Sequence, residues 1–233
     1  MHLGEHDYDE LQRIAPDRAY VVVVEHRLSR LVDRFASINT TLKFLGFEEL
    51  PLATPDGNIS RIEWLRTCLD SGLVRLTSIR YCSLLLVAEV MELGLNPRQV
   101  TPGAVLKHPN LPARPLVAKR VAALVAQGPA MRDERDRHVH RGEERRLGRD
   151  VYFKTVAIME GWGQGAEVQA PNREGHQWEI RDEYARVRVS LRKEVFTEAK
   201  RLERRVLSLM SALSGVFAKR WREKLKRSQL GLR

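Results

Sequence analysis

The stretch IRDEYARVRVSLRKEVFTEAKRLERRVLSLMSAL, residues 180–213, decides how the rest of the chain is read. Ile180, Tyr184, Val187, Leu191, Val195, Leu202, Val206, Leu209 and Leu213 recur at steps of three, four and seven. That is the period of one face of an α-helix. VRVSL at 187–191 alternates as a strand would, but it lies inside the stripe and is read with it. The stripe resumes at Val216, Phe217, Trp221 and Leu225, past Ser214-Gly215, where a kink is expected. The basic C-terminal helix or tail, 216–233, carries Lys219, Arg220, Arg222, Lys224, Lys226, Arg227 and Arg233 against Glu223 alone. Such a run reads either as a surface that tracks phosphates or as a solvated helix face.

Upstream the same period repeats. Val21, Val24, Leu28, Leu31, Phe35, Ile38 and Leu42 predict a first helix starting at or just after Asp17. PLATPDGNIS, 51–60, is turn chemistry. Ser60 with Glu63 forms a capping-box pattern for a second helix, expected to run to about Leu95 and to end at Asn96-Pro97. Residues 96–113 read as a connection, and Leu116, Val117, Val121, Leu124 and Val125 predict a helix over 115–127, broken by Gly128-Pro129. A further short helix is expected from Val151 to Trp162, then a long loop over 161–178, GWGQGAEVQAPNREGHQW. GWGQG lacks the phosphate-loop pattern and follows no strand. Trp162, His176 and Trp178 read as base-stacking residues or as anchors that pin the loop to a core. With no strand of useful length, the expected architecture is all-α: a single domain over 1–233, an antiparallel up-down bundle with long helices.

The chain has 233 residues, 43% of them hydrophobic and 30% charged, which suits an ordinary globular protein. The longest apolar run, VRLTSIRYCSLLLVAEVMEL, is interrupted by Arg75, Arg80 and Glu89, so no membrane association is expected. The polar start MHLGEHDYDE does not resemble a secretory signal, and a cytoplasmic location is expected. Cys68 and Cys82 fall about four turns apart on one helix, too far for a disulfide, and fit reduced thiols. No metal or cofactor is expected, since no histidine or cysteine group has ligand spacing. The net charge of +10 points to a polyanionic partner, with nucleic acid the first candidate.

Residues 135–146, RDRHVHRGEERR, hold the candidate chemistry. On a helix Asp136 and His140 are i,i+4 neighbours, while Arg135 lies five residues before His140, about 140° around the axis. A carboxylate beside an imidazole orients it, and a guanidinium beside both holds a phosphate. The set suits RNA cleavage without a metal, the imidazole moving protons and the arginine facing the developing charge. Spacing alone equally fits a salt-bridged surface helix.

The string R-D-R-H-V-H resembles the R-[N/D/H]-x-x-x-H motif of the HEPN superfamily, with Arg135, Asp136 and His140 in the motif positions. The resemblance implies an all-α bundle that works as a metal-independent endoribonuclease on RNA. It implies a homodimer whose paired motifs share one cleft, and a role as a toxin or antiviral-defence effector with an antitoxin or other regulatory protein as partner. By the resemblance Arg135 and His140 carry cleavage and Asp136 orients them. Two features depart from the pattern. Gly142 stands where toxins silenced by a nucleotidyltransferase antitoxin carry tyrosine, and Arg132 with His138 forms an overlapping, looser match that makes them accessory candidates. Arg137 and Arg141 join the basic tail residues as candidate nucleic-acid contacts. His138 and His140, at i,i+2, point apart on a helix and make a poor metal pair. His26 reads as structural and His108 as a loop residue. Two other readings stand beside the nuclease: a silent HEPN-like module that binds RNA or protein, and a basic DNA-binding or scaffold protein, for which no helix-turn-helix pattern is present.

Overall fold

A computed structural model describes residues 10, 13–48, 61–126, 133, 136, 137, 147 and 173–229. Among them every regular element is helical, as the periodicity predicts: α1 (Pro16–Phe44), α2 (Arg61–Val90), α3 (Pro102–Leu106), α4 (Pro115–Ala126) and α5 (Arg173–Gln229), with one 3-10 turn at Pro97–Gln99. The chain divides into two compact units, and α1, α2 and α5 each lend one segment to each.

Unit 1 gathers Met1–Phe35, Thr77–Gly128 and Arg201–Arg233. Its core holds Leu31, Ile79, Leu84, Leu86, Val87, Met91, Val105, Leu111, Val121, Leu124 and Leu209, all buried. Each such side chain contributes roughly 1.5–3 kcal/mol of burial. The buried Tyr20 hydroxyl donates to the Val90 carbonyl at 3.0 Å, and Arg27 pairs with Glu89 at 2.9 Å. Tyr20 stacks on Phe217 at 5.4 Å, and Ser228 donates to Asp17 at 2.7 Å. Along α5 the partner numbers on α1 fall, so these segments run antiparallel.

Unit 2 gathers Ala36–Leu76 and Pro129–Lys200. Here α1 and α2 meet through a polar layer: Arg75 donates to the Ser37 carbonyl and, at 3.1 Å, to the buried Thr41 hydroxyl, which lies 3.4 Å from Ser71. One turn on, Trp64 Nε1 donates to Phe44 O at 3.4 Å, so α1 and α2 run antiparallel in this unit. Arg61 lies 5.9 Å from the Tyr184 ring centre, and eleven residues on in both helices Gly72 faces Val195. That segment of α5 therefore runs parallel to α2.

Most of the expected stripes are found. Val24, Leu31 and Ile38 are buried on α1, and Tyr184, Leu191, Val195, Leu202, Val206, Leu209, Leu213 and Val216 on α5. Several boundaries move. α2 stops at Val90, not near Leu95. Leu93 N–H donates to Ala88 O at 2.9 Å and Glu92 N–H to Glu89 O at 3.0 Å, with Glu92 left-handed at φ 49°. This is a Schellman ending with glutamate in the usual glycine position. Asn96-Pro97 opens the 3-10 turn in place of closing a helix: the Asn96 side chain accepts from Arg98 N–H, and Gln99 returns the bond to Asn96 N–H. Thr101 caps α3 in the same way, so 96–113 is more than a plain connection.

α5 starts at Arg173, so 173–178 of the expected loop are helical, and it runs as one helix through Ser214-Gly215. The expected helix at 151–162 and the remainder of the loop, with Trp162, lie outside the described residues. α2 begins directly after Ser60, itself outside them. Cys68 and Cys82 are free thiols on α2, and burial pushes Cys68 up to about 11.

Candidate functional site

Of the motif residues, Asp136 and Arg137 are described, and both are helical, as is Asp133. Asp136 is half-buried and engaged in a polar interaction. Arg137 is exposed, and its Nε donates to the Asp133 carbonyl one turn back at 3.3 Å. Leu147, just past the charged run, is buried at 5% exposure. Arg132, Arg135, His138, His140 and Arg141 lie outside the described residues. Trp178 is helical and 68% exposed, so it pins nothing to a core. His26 lies on the exposed side of α1, and His108 Nδ1 accepts from Asn110 N–H at 3.2 Å.

The basic residues of α5 sort by what they touch. In unit 2, Arg188 is 9% exposed, and its Nη1 donates to the Gly46 carbonyl at 2.8 Å beyond the C-terminus of α1. Tyr184, whose hydroxyl donates to Phe47 O at 3.3 Å, packs under it. Burial pushes the Tyr184 phenol up, Cys68 adds to the rise, and Arg188 and Arg61 oppose it. In unit 1, Arg205 donates to Ala123 O in the last turn of α4. Arg220 and Lys224 both pair with Glu92 past the end of α2, Lys224 at 2.7 Å. Lys224 also lies 5.4 Å from the Tyr20 ring centre. Burial favours the neutral Glu92 carboxyl, but hydrogen bonds and charge from Lys224 and Arg220 outweigh it and hold the group below its ordinary value. Burial, with the Glu92 charge adding and Arg220 opposing, raises the Tyr20 phenol.

Helix C-termini carry unpaired carbonyls and partial negative charge, and cations there are stabilising. A share of the basic excess on α5 is therefore structural: Arg188 and Arg205 bind carbonyls at or beyond the ends of α1 and α4, and Arg220 and Lys224 pair with the Glu92 carboxylate beyond α2. Of the candidate tail contacts, Arg220 and Lys224 are engaged inward. Lys219, Arg222, Lys226 and Arg227 are exposed. No family model matches the chain, and no curated protein or solved structure shows a significant similarity to it. Glu92, Arg188 and Arg205 carry no sequence motif; an acidic residue between Met91 and Leu93, before Gly94, gives no warning of a left-handed turn. Among the described residues no group of His, Cys, Asp and Glu is placed to hold a metal ion, and no helix is long and apolar enough to cross a membrane.

Proposed function

We propose that the chain is a metal-independent endoribonuclease of the HEPN type, an up-down helical bundle acting in the cytoplasm as a homodimeric, toxin-like or defence effector. The observation that carries the reading is the R-D-x-x-x-H string at Arg135, Asp136 and His140 in an all-α chain, with Asp133, Asp136 and Arg137 helical. A helical setting at Asp136 is what the i,i+4 relation to His140 needs. An antitoxin or other regulatory protein is the expected protein partner.

In the proposed reaction His140 takes the proton of a ribose 2′-hydroxyl. The 2′-oxygen bonds to the adjacent phosphorus, and the bond to the 5′-oxygen breaks. That oxygen leaves with a proton delivered by an imidazolium, and no water is consumed. Arg135 stabilises the pentavalent phosphorus, and Asp136 holds the imidazole. The products end in a 2′,3′-cyclic phosphate and a 5′-hydroxyl.

The test is cleavage of an RNA panel in EDTA by wild type, His140→Ala and Arg135→Ala. Wild type should give cyclic-phosphate ends, and His140→Ala should lose about 10²–10⁴-fold in rate with its melting temperature kept. Equal activity in the variants, or ends of other chemistry, refutes the assignment. A second reading, a silent module that binds RNA or protein, draws on the exposed basic residues of α5, which do not depend on the motif. RNA binding without cleavage in all three proteins would select it.

A further inference from the structure

The last three turns of α5 have two basic faces, which differ in exposure and in how fully they are paired. Arg220 and Lys224 face inward and are neutralised by Glu92. Lys219, Arg222 and Lys226, at i, i+3 and i+7, fall within about 60° of one another on another side of the helix, spread over ~10 Å of its length. All three are exposed. Among the described residues the one acid that approaches them is Glu223, 3.9 Å from Lys219, an exposed pair of little strength. Arg222 Nε is held by the Ala218 carbonyl at 3.0 Å. Arg227 continues the exposed charge.

The inward side of these turns is tied down. Ser228 bonds Asp17, Phe217 stacks on Tyr20, Lys224 sits over the same ring, and Glu92 binds two cations. Glu92 does so from a left-handed conformation that disfavours any residue with a Cβ. A glycine would relieve that conformation but would hold neither cation. The tethers all lie on the inward side and leave the outward stripe rigidly presented.

We propose that Lys219, Arg222 and Lys226 form a pre-ordered surface that tracks the phosphates of single-stranded RNA, and that the Glu92 clamp on Arg220 and Lys224 positions it. This rests on the RNA reading above and names the part of the chain that grips the strand. Bases play no part in it, so the contact is indifferent to sequence.

The test uses the full chain and a single-stranded 2′-O-methyl oligonucleotide, which cannot undergo internal attack. Binding is titrated across a range of salt. In K219Q/R222Q/K226Q the slope of log affinity against log salt should shrink by about 2, at ~0.7 per phosphate on a single strand, with the melting temperature unchanged. In R220Q/K224Q the slope should stay, while the affinity at any one salt concentration and the melting temperature should both fall. If the triple variant does not fold, K226Q alone should shrink the slope by ~0.7. An unchanged slope in the outward variants, a loss of slope as large in the inward pair, or no binding by wild type overturns the proposal. Cleavage of natural RNA is read separately, so an active nuclease with an unaltered slope sinks this inference and leaves the nuclease standing.

Discussion

The two units finish their helices in different ways. In unit 2 the chain beyond α1 is closed from inside: Arg188, nearly buried, donates to Gly46 O, and Tyr184 donates to Phe47 O. In unit 1 the end of α2 is closed from outside: Glu92, about a third exposed, turns left-handed and is gripped by Arg220 and Lys224. One helix, α5, supplies the cations in both. The difference lies in solvent. A carbonyl that loses a part-buried donor has less water to replace it, whereas an ion pair at the surface is largely traded for hydration. The burial of each contact, more than its formal charge, should set its worth.

Arg188 should therefore matter most. Arg188→Ala removes the donor to Gly46 O and leaves a gap beside Tyr184, and the expected loss is about 2–3 kcal/mol in a urea titration. Arg188→Met sharpens the comparison. A buried charge is often replaced by an apolar side chain at no loss, and Arg188 Nε is itself buried without a partner. If the capping bond is what counts, methionine should still lose at least about 1 kcal/mol. A methionine variant as stable as wild type would mean that Arg188 is a tolerated burden and not the closure of α1.

Glu92 comes next. Glu92→Gln should lose about 1 kcal/mol. Glu92→Gly should lose less, because glycine removes the left-handed penalty of roughly 1 kcal/mol while giving up the same pairs. The order glycine above glutamine is the point at issue; glutamine as stable as glycine would mean that the backbone there is unstrained. The pH dependence follows from the lowered carboxyl. A group whose folded value lies below its unfolded value stabilises above the unfolded value, and that contribution disappears as pH falls through the folded one. Arg220, Lys224 and Tyr20 face the carboxyl. Between neutral pH and about pH 3 wild type should lose its advantage over Glu92→Gln. A constant difference across that window would show that the charge contributes nothing.

The same contrast explains what was legible in the sequence. The buried stripe from Tyr184 to Val216 was legible because burial on a helix imposes a period, and period is a property of the sequence itself. The all-α class followed from it. The end of α2 was not legible: Asn96-Pro97 is a strong local stop, but Glu92 and Gly94, both at positive φ, stop the helix sooner. What makes glutamate acceptable there is Arg220 and Lys224, more than 120 residues away. The start of α5 was hidden by Gly175 and by the glycines before it, although Asn172 is a residue type that favours helix starts. At the candidate site, the i,i+4 placement of Asp136 and His140 came from spacing; Asp136 is helical, and His140 lies outside the described residues. The tail could not be sorted into inward and outward cations, because the six residues differ only in what lies across from them.

The smallest effect should be at Arg205, and it is the sharpest check on the role of solvent. Arg205 does for α4 what Arg188 does for the chain beyond α1: a guanidinium donates to a carbonyl at the helix end, here Ala123 O. The chemistry is the same, and this bond is exposed. Water can take the place of the guanidinium on Ala123 O once the side chain is gone. Arg205→Ala should then lose no more than about 0.5 kcal/mol, a shift at the edge of detection in a thermal melt. A loss equal to that of Arg188→Ala would mean that the caps draw their strength from the helix dipole and its charge, which high salt would screen. Melts at low and high salt separate the two causes. A loss that shrinks with salt assigns the effect to charge, and a loss that persists assigns it to packing of the arginine stem against α4.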